Sequence, residues 1–140
     1  MIRFQTNSGW APMRILLDTH TFLWWVDKSE RLTATAAAAC RDRSNELVLS
    51  IASVWEIQIK VQLGKLDLSA PLAELVVREQ VTNDLRLLNI RYEHVLAVDA
   101  LPLHHRDPFD RVLIAQATVE GLFLASSDEV FDQYPVRLIR

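Results

Sequence analysis

Arg14-Ile15-Leu16-Leu17-Asp18-Thr19-His20-Thr21 is a short apolar run that stops abruptly at an acid and a hydroxyl residue. A run of this length bounded by polar residues reads as a strand buried on both faces. In an open α/β sheet ligands collect where such strands end, so Asp18 stands at that edge.

Upstream, residues 1–12 carry Gln5-Thr6-Asn7-Ser8-Gly9 and Pro12 with no hydrophobic period, directly before Met13. We expect a disordered tail there and a single folded domain over 13–140. Downstream, Thr19 to Val26 reads as a first helix, and the alanine-rich 33–43 stretch as a second by propensity. Leu47-Val48-Leu49-Ser50 is a second buried strand. Ala52 to Leu63 is helical, with Gly64 at its C-terminal cap. A helix runs from Ser69-Ala70-Pro71 to about Asn83 with Pro71 in its first turn, followed by a short strand at Leu87–Ile90. Glu93 to Ala100 is helical and stops before Pro102. A polar stretch leads into a helix from Pro108 to Glu120, closed by Gly121. Leu122–Ala125 is a fourth strand, Asp128–Tyr134 a short helix, and Val136–Ile139 a fifth strand. Strands alternating with helices predict a three-layer α/β domain: a parallel sheet of about five strands with helices on both faces.

The chain of 140 residues is half hydrophobic and long enough to bury a real core. Neither an apolar run of the roughly 20 residues a membrane helix needs nor a signal-peptide pattern is present, and a cytoplasmic location is expected. The single cysteine, Cys40, excludes an internal disulfide and a cysteine-zinc site, and reads as a small apolar group. Three glycines, at 9, 64 and 121, leave no phosphate-binding loop or dinucleotide fingerprint. No Gly-x-Ser-x-Gly elbow occurs. The His104-His105 pair in a polar loop reads as solvent-exposed. Of Trp24 and Trp25, neighbours on a helix about 100° apart, one is expected in the core and one on the surface. A net charge of −3 is not that of a protein gripping nucleic acid by bulk charge, although acids clustered in one cleft would hide basic groups at its rim.

Four carboxylates fall at equivalent places, just beyond a strand or near the start of a helix: Asp18, Glu56, Asp110 and Asp128. Singly, each has a plain explanation. Asp18 and Asp128 suit helix caps, Ser53 and Glu56 have capping-box spacing with Lys60 one turn on, and Asp107 and Asp110 suit a helix start. Jointly, a parallel sheet brings these positions to one edge, where four carboxylates repel unless a divalent cation neutralises them. The set asks for Mg²⁺ or Mn²⁺.

Leu16-Leu17-Asp18-Thr19-His20, Ser53-Val54-Trp55-Glu56-Ile57, Asp107-Pro108-Phe109-Asp110-Arg111 with Leu113-Ile114-Ala115-Gln116-Ala117, and Ser126-Ser127-Asp128 together resemble the PIN-domain ribonucleases, and among them the VapC-type toxins of bacterial toxin–antitoxin pairs. The resemblance covers about residues 13 to 139. It implies a PIN-like fold and an acidic cleft that binds Mg²⁺ or Mn²⁺ and cuts RNA. It also implies a homodimer neutralised by an antitoxin whose tail enters the cleft. By position, Asp18, Glu56, Asp110 and Asp128 match the four acids and Ser126 the small hydroxyl residue beside the fourth, with Asp107 near enough to serve as ligand or loop cap and Thr19 in support.

A carboxylate-held ion lowers the pKa of bound water and screens charge at the scissile phosphate, so RNA hydrolysis would leave 5′-phosphate products. Asp18, Asp110 and Asp128 are assigned to the metal, Glu56 to metal or water positioning, and Arg111, Lys60 and Lys65 to phosphate contact. Other classes remain: a PIN-like module that only binds RNA or protein, a DNA-cutting nuclease of related fold, and a haloacid-dehalogenase-type phosphatase. The last wants Asp-x-Asp, and His20 occupies the second position.

Overall fold

The computed structural model describes residues 4–6, 9–103 and 107–140, with side chains from Pro12 onward; His104 and His105 lie outside them. Five strands form one parallel sheet: β3 (Arg14–Leu17), β4 (Glu46–Ser50), β5 (Arg86–Leu88), β6 (Phe123–Ala125) and β7 (Leu138–Ile139), in the order β5-β4-β3-β6-β7. The chain winds one way from β3 through β4 to β5, then returns to the other side of β3. The order therefore reverses between β3 and β6, which opens a crevice at their carboxyl ends.

The alternation along β3 explains the layers. Ile15 and Leu17 face one core with Leu47, Leu49, Phe22, Cys40, Ile57 and Val76, which brings α1 (Thr19–Val26), α2 (Ala34–Arg41), α3 (Ile51–Gln62) and α4 (Leu72–Asn83) to that side. Leu16 faces the other core with Val48, Leu124, Leu113, Ile114 and Phe131, supplied by α6 (Pro108–Glu120) and a 3₁₀ turn at Glu129–Gln133. The remaining helix, α5 (Tyr92–Asp99), packs on α6. Both faces of the sheet are covered over β3, β4 and β6, as their apolar runs predict, while the edge strand β5 leaves Arg86 and Leu87 exposed. Cys40 is buried in the first core, and its thiol is pushed up to about 12 by burial, then by the Glu79 carboxylate, with Arg41 opposing.

Several local expectations change. β4 runs straight into α3: the helix begins at Ile51 and its cap is Ser50, whose hydroxyl accepts from the Ala52 amide at 3.0 Å. Ser53 is consequently inside the helix, so the Ser53–Glu56 capping box does not form. Pro71 is the N-cap of α4 rather than a residue of its first turn. Residues 129–133 wind as a 3₁₀ turn in place of an α-helix. Neither Trp24 nor Trp25 is fully buried; Trp25 donates its indole N–H to the buried Glu79 at 2.6 Å, which keeps its polar edge near the surface. In the stretch expected to be a patternless tail, β1 (Phe4–Thr6) and β2 (Gly9–Ala11) pair antiparallel, apart from the main sheet. The alternation needed for that pairing is too short to stand out in the sequence. Gly121 ends α6 at φ +67°, the left-handed conformation that favours glycine.

Candidate active site

Register sets the edge of the crevice. Leu17 lies opposite Leu49 on one side and Ala125 on the other, so the next residues, Asp18, Ser50 and Ser126, stand side by side at the carboxyl ends of three adjacent strands. The Asp18 amide donates to Ala125 O at 3.1 Å, which carries the β3–β6 pairing one residue further. Asp18 is also the cap of α1: its Oδ1 accepts from the Thr21 amide at 2.8 Å. Capping uses one oxygen only, and among the described residues Oδ2 carries no hydrogen bond. The capping role expected of Asp18 is therefore present, and it leaves the second carboxylate oxygen available.

Glu56 lies in the second turn of α3, with its side chain only 8% exposed. Its Oε1 accepts from the Thr19 hydroxyl at 2.6 Å and its Oε2 from the Lys60 ammonium at 2.8 Å. Thr19 follows Asp18 directly, so this hydrogen bond ties the second acid to the residue beside the first, from the start of α1 to α3. Lys60 is thus paired with a carboxylate rather than presented for phosphate. Lys65 is exposed beyond the end of α3.

The third position resolves into two roles. Asp107 caps α6, with Oδ1 accepting from the amides of Phe109 at 2.9 Å and Asp110 at 3.3 Å. Asp110 sits in the first turn, relieved of that capping duty. An edge-to-face contact between Trp55 and Phe109, 5.4 Å between centroids at 78°, joins the residue before Glu56 to the residue before Asp110. This contact, invisible as a motif, links α3 to the start of α6 through a largely exposed Trp55. At the fourth position the buried Ser126 accepts from the Asp128 amide at 3.1 Å, and the exposed Asp128 caps the 3₁₀ turn by accepting from Val130 at 3.0 Å.

Arg111 departs most from expectation. It is 9% exposed, and its guanidinium donates to the carbonyls of Pro102 at 2.8 Å, Val98 at 3.1 Å and Leu101 at 3.4 Å. These close the C-terminal end of α5, where a cation suits the helix dipole. Arg111 is a structural clamp, not a phosphate contact.

The acids share an edge without sharing one point: among the described residues, no three His, Cys, Asp or Glu side chains are grouped closely enough to hold one ion. Their chemistry nonetheless fits a hard divalent cation. The donors are carboxylate oxygens, one Asp18 oxygen is unengaged, and Glu56 already holds a cation in the form of the Lys60 ammonium. Among the described residues no helix is long and apolar enough to cross a membrane.

A doubly wound five-stranded sheet with acids at its switch point is the arrangement of a PIN domain. The PIN domain profile matches residues 15–136, and the chain belongs to that family. It is 27% identical over 115 residues to Ribonuclease VapC22 of Mycobacterium tuberculosis, spanning 81% of this chain and 86% of that one. Its fold is similar to a chain in VapBC2 from Rickettsia felis bound to a DNA fragment from their promoter (TM-score 0.65, 13% identity, 90% of this chain and 97% of that one). It is also similar to one in DNA-bound VapBC from Salmonella typhimurium (TM-score 0.63, 17% identity, 90% and 96%). At these identities the structural likenesses speak to the fold.

Proposed function

We propose that this protein is a metal-dependent endoribonuclease toxin of the VapC type, acting in the cytoplasm as a homodimer and inhibited by a cognate antitoxin. The observation that supports the reading best is a PIN fold in which Asp18 ends the central strand with one carboxylate oxygen unengaged, and Glu56 is tied to the neighbouring Thr19. The ribonuclease named among its relatives supports RNA as substrate, and the toxin–antitoxin complexes among its structural neighbours support an antitoxin partner.

In this reading Asp18, Asp110 and Asp128 hold Mg²⁺ or Mn²⁺, and Glu56 holds the ion or positions the attacking water. When bound, the ion supplies hydroxide at neutral pH and charge compensation at the phosphate. Thr19 fixes the Glu56 carboxylate, Ser126 orients the turn bearing Asp128, and Asp107 holds the helix start that presents Asp110. Attack in line on phosphorus expels the 3′-oxygen and leaves a 5′-phosphate. Met13 is tied into the main sheet, buried and with its amide donating to Asn45 Oδ1 at 2.9 Å.

Asp18→Asn tests the reading, because asparagine is as good a cap as aspartate and keeps the bond to Thr21. The variant should lose cleavage of a structured RNA while its circular dichroism is unchanged. Full metal-dependent cleavage by that variant would remove Asp18 from the mechanism.

A further inference from the structure

Glu56 is a buried carboxylate, and burial of an ionised acid requires a compensating partner. The Thr19 hydroxyl supplies a hydrogen bond but no charge. The charge comes from Lys60, the one cation in an ion pair with Glu56 among the described residues. Lys60 is 36% exposed and spaced one turn along the same helix, so its flexible stem can carry the ammonium into water without repacking the core. Its ammonium bonds only Glu56 among the described residues, at Oε2, the oxygen that the Thr19 hydroxyl does not use.

We propose that Lys60 is the built-in counter-cation of Glu56, seated there until a divalent ion displaces it, and that it thereby sets the affinity of the cleft for that ion. The proposal rests on the metal-dependent reading given above. An ammonium 2.8 Å from Oε2 repels a dication approaching the same oxygen, so binding includes the work of moving it aside. In return, the ion-free protein keeps Glu56 ionised and ordered.

The test is calorimetric titration of Mn²⁺ into the full chain, with thermal unfolding measured at zero and saturating Mn²⁺. Lys60→Met keeps the stem and removes the charge. It should bind Mn²⁺ more tightly, by about fivefold at low salt for a partly exposed pair, with the gain shrinking at high salt. Its ion-free unfolding midpoint should lie below the wild type and recover when Mn²⁺ is added, and Lys60→Arg should behave as wild type. Equal or weaker Mn²⁺ binding by Lys60→Met overturns the proposal while leaving the metal-dependent reading intact. Absence of Mn²⁺ binding by the wild-type protein overturns both. If Lys60→Met does not fold, the Lys60 Nζ resonance of the wild-type protein decides: it should move on titration with Mg²⁺, and a resonance unmoved at saturation overturns the proposal.

Discussion

Two regions take a charged group into the protein and satisfy it in opposite ways. At the sheet edge, Glu56 is held by the buried Thr19 hydroxyl and by the partly exposed Lys60 ammonium, a side chain that can swing into water. At the corner between α5 and α6, Arg111 is held by main-chain carbonyls of Val98, Leu101 and Pro102, which cannot leave without unwinding a helix end. A planar guanidinium with five donors suits fixed carbonyls, whereas a carboxylate with exchangeable partners suits a site that must accept a ligand. Buried charge alone therefore does not mark function; the mobility of its partners separates the clamp from the site.

The sharpest way to break that contrast is Glu56→Gln. It preserves shape and the Thr19 contact while removing the charge, and RNA cleavage should fall roughly 10²–10³-fold, the scale of losing one preorganised electrostatic group at a reacting centre. The unfolding midpoint should barely change. Arg111→Met should do the reverse, costing about 1–3 kcal/mol in denaturant unfolding because the carbonyls of Val98, Leu101 and Pro102 lose a charged donor, with cleavage per folded molecule retained. A large loss of cleavage in folded Arg111→Met would erase the distinction. Thr19→Val should be milder, losing about 1 kcal/mol of stability with the Glu56 hydrogen bond.

At neutral pH the smallest effect concerns Cys40, in the core away from the cleft. Its folded pKa is about 12 against an ordinary 9.0, so well below pH 9 the thiol is neutral in both states and contributes no pH dependence. As pH rises above 9 the unfolded chain ionises first, and stability should fall by at most about 1.4 kcal/mol per unit until the folded thiol titrates near 12. Subtracting the profile of Cys40→Ala isolates this slope, and the native thiol should resist disulfide reagents at pH 8. Rapid native modification would contradict its burial.

The central strands β3, β4 and β6 were legible because each is an apolar run ended by polar or turn residues, and Asp18 because its strand ends on it, whereas the edge strand β5 pairs at Arg86–Leu88 rather than over Leu87–Ile90 and β7 only at Leu138–Ile139. The pairing of Asp107 as cap with Asp110 as first-turn acid was half legible, since both suit a helix start and only the amide hydrogen bonds separate them. The start of α3 was misread because Ser53 and Glu56 have the spacing of a capping box, while Ser50, the last residue of β4, does the capping. Arg111 was misread because arginine is usually exposed; its burial depends on where the end of α5 lands, a tertiary fact with no local signature. The Trp55–Phe109 contact is likewise set by packing between helices distant in sequence.

The most direct test of the central claim is the chemistry of the cut ends. RNA incubated with the purified protein and Mn²⁺ should yield 5′-phosphate and 3′-hydroxyl termini, and no product when EDTA replaces the metal. Cleavage that persists in EDTA, or that leaves 2′,3′-cyclic phosphates, would contradict metal-assisted hydrolysis at the Asp18 edge.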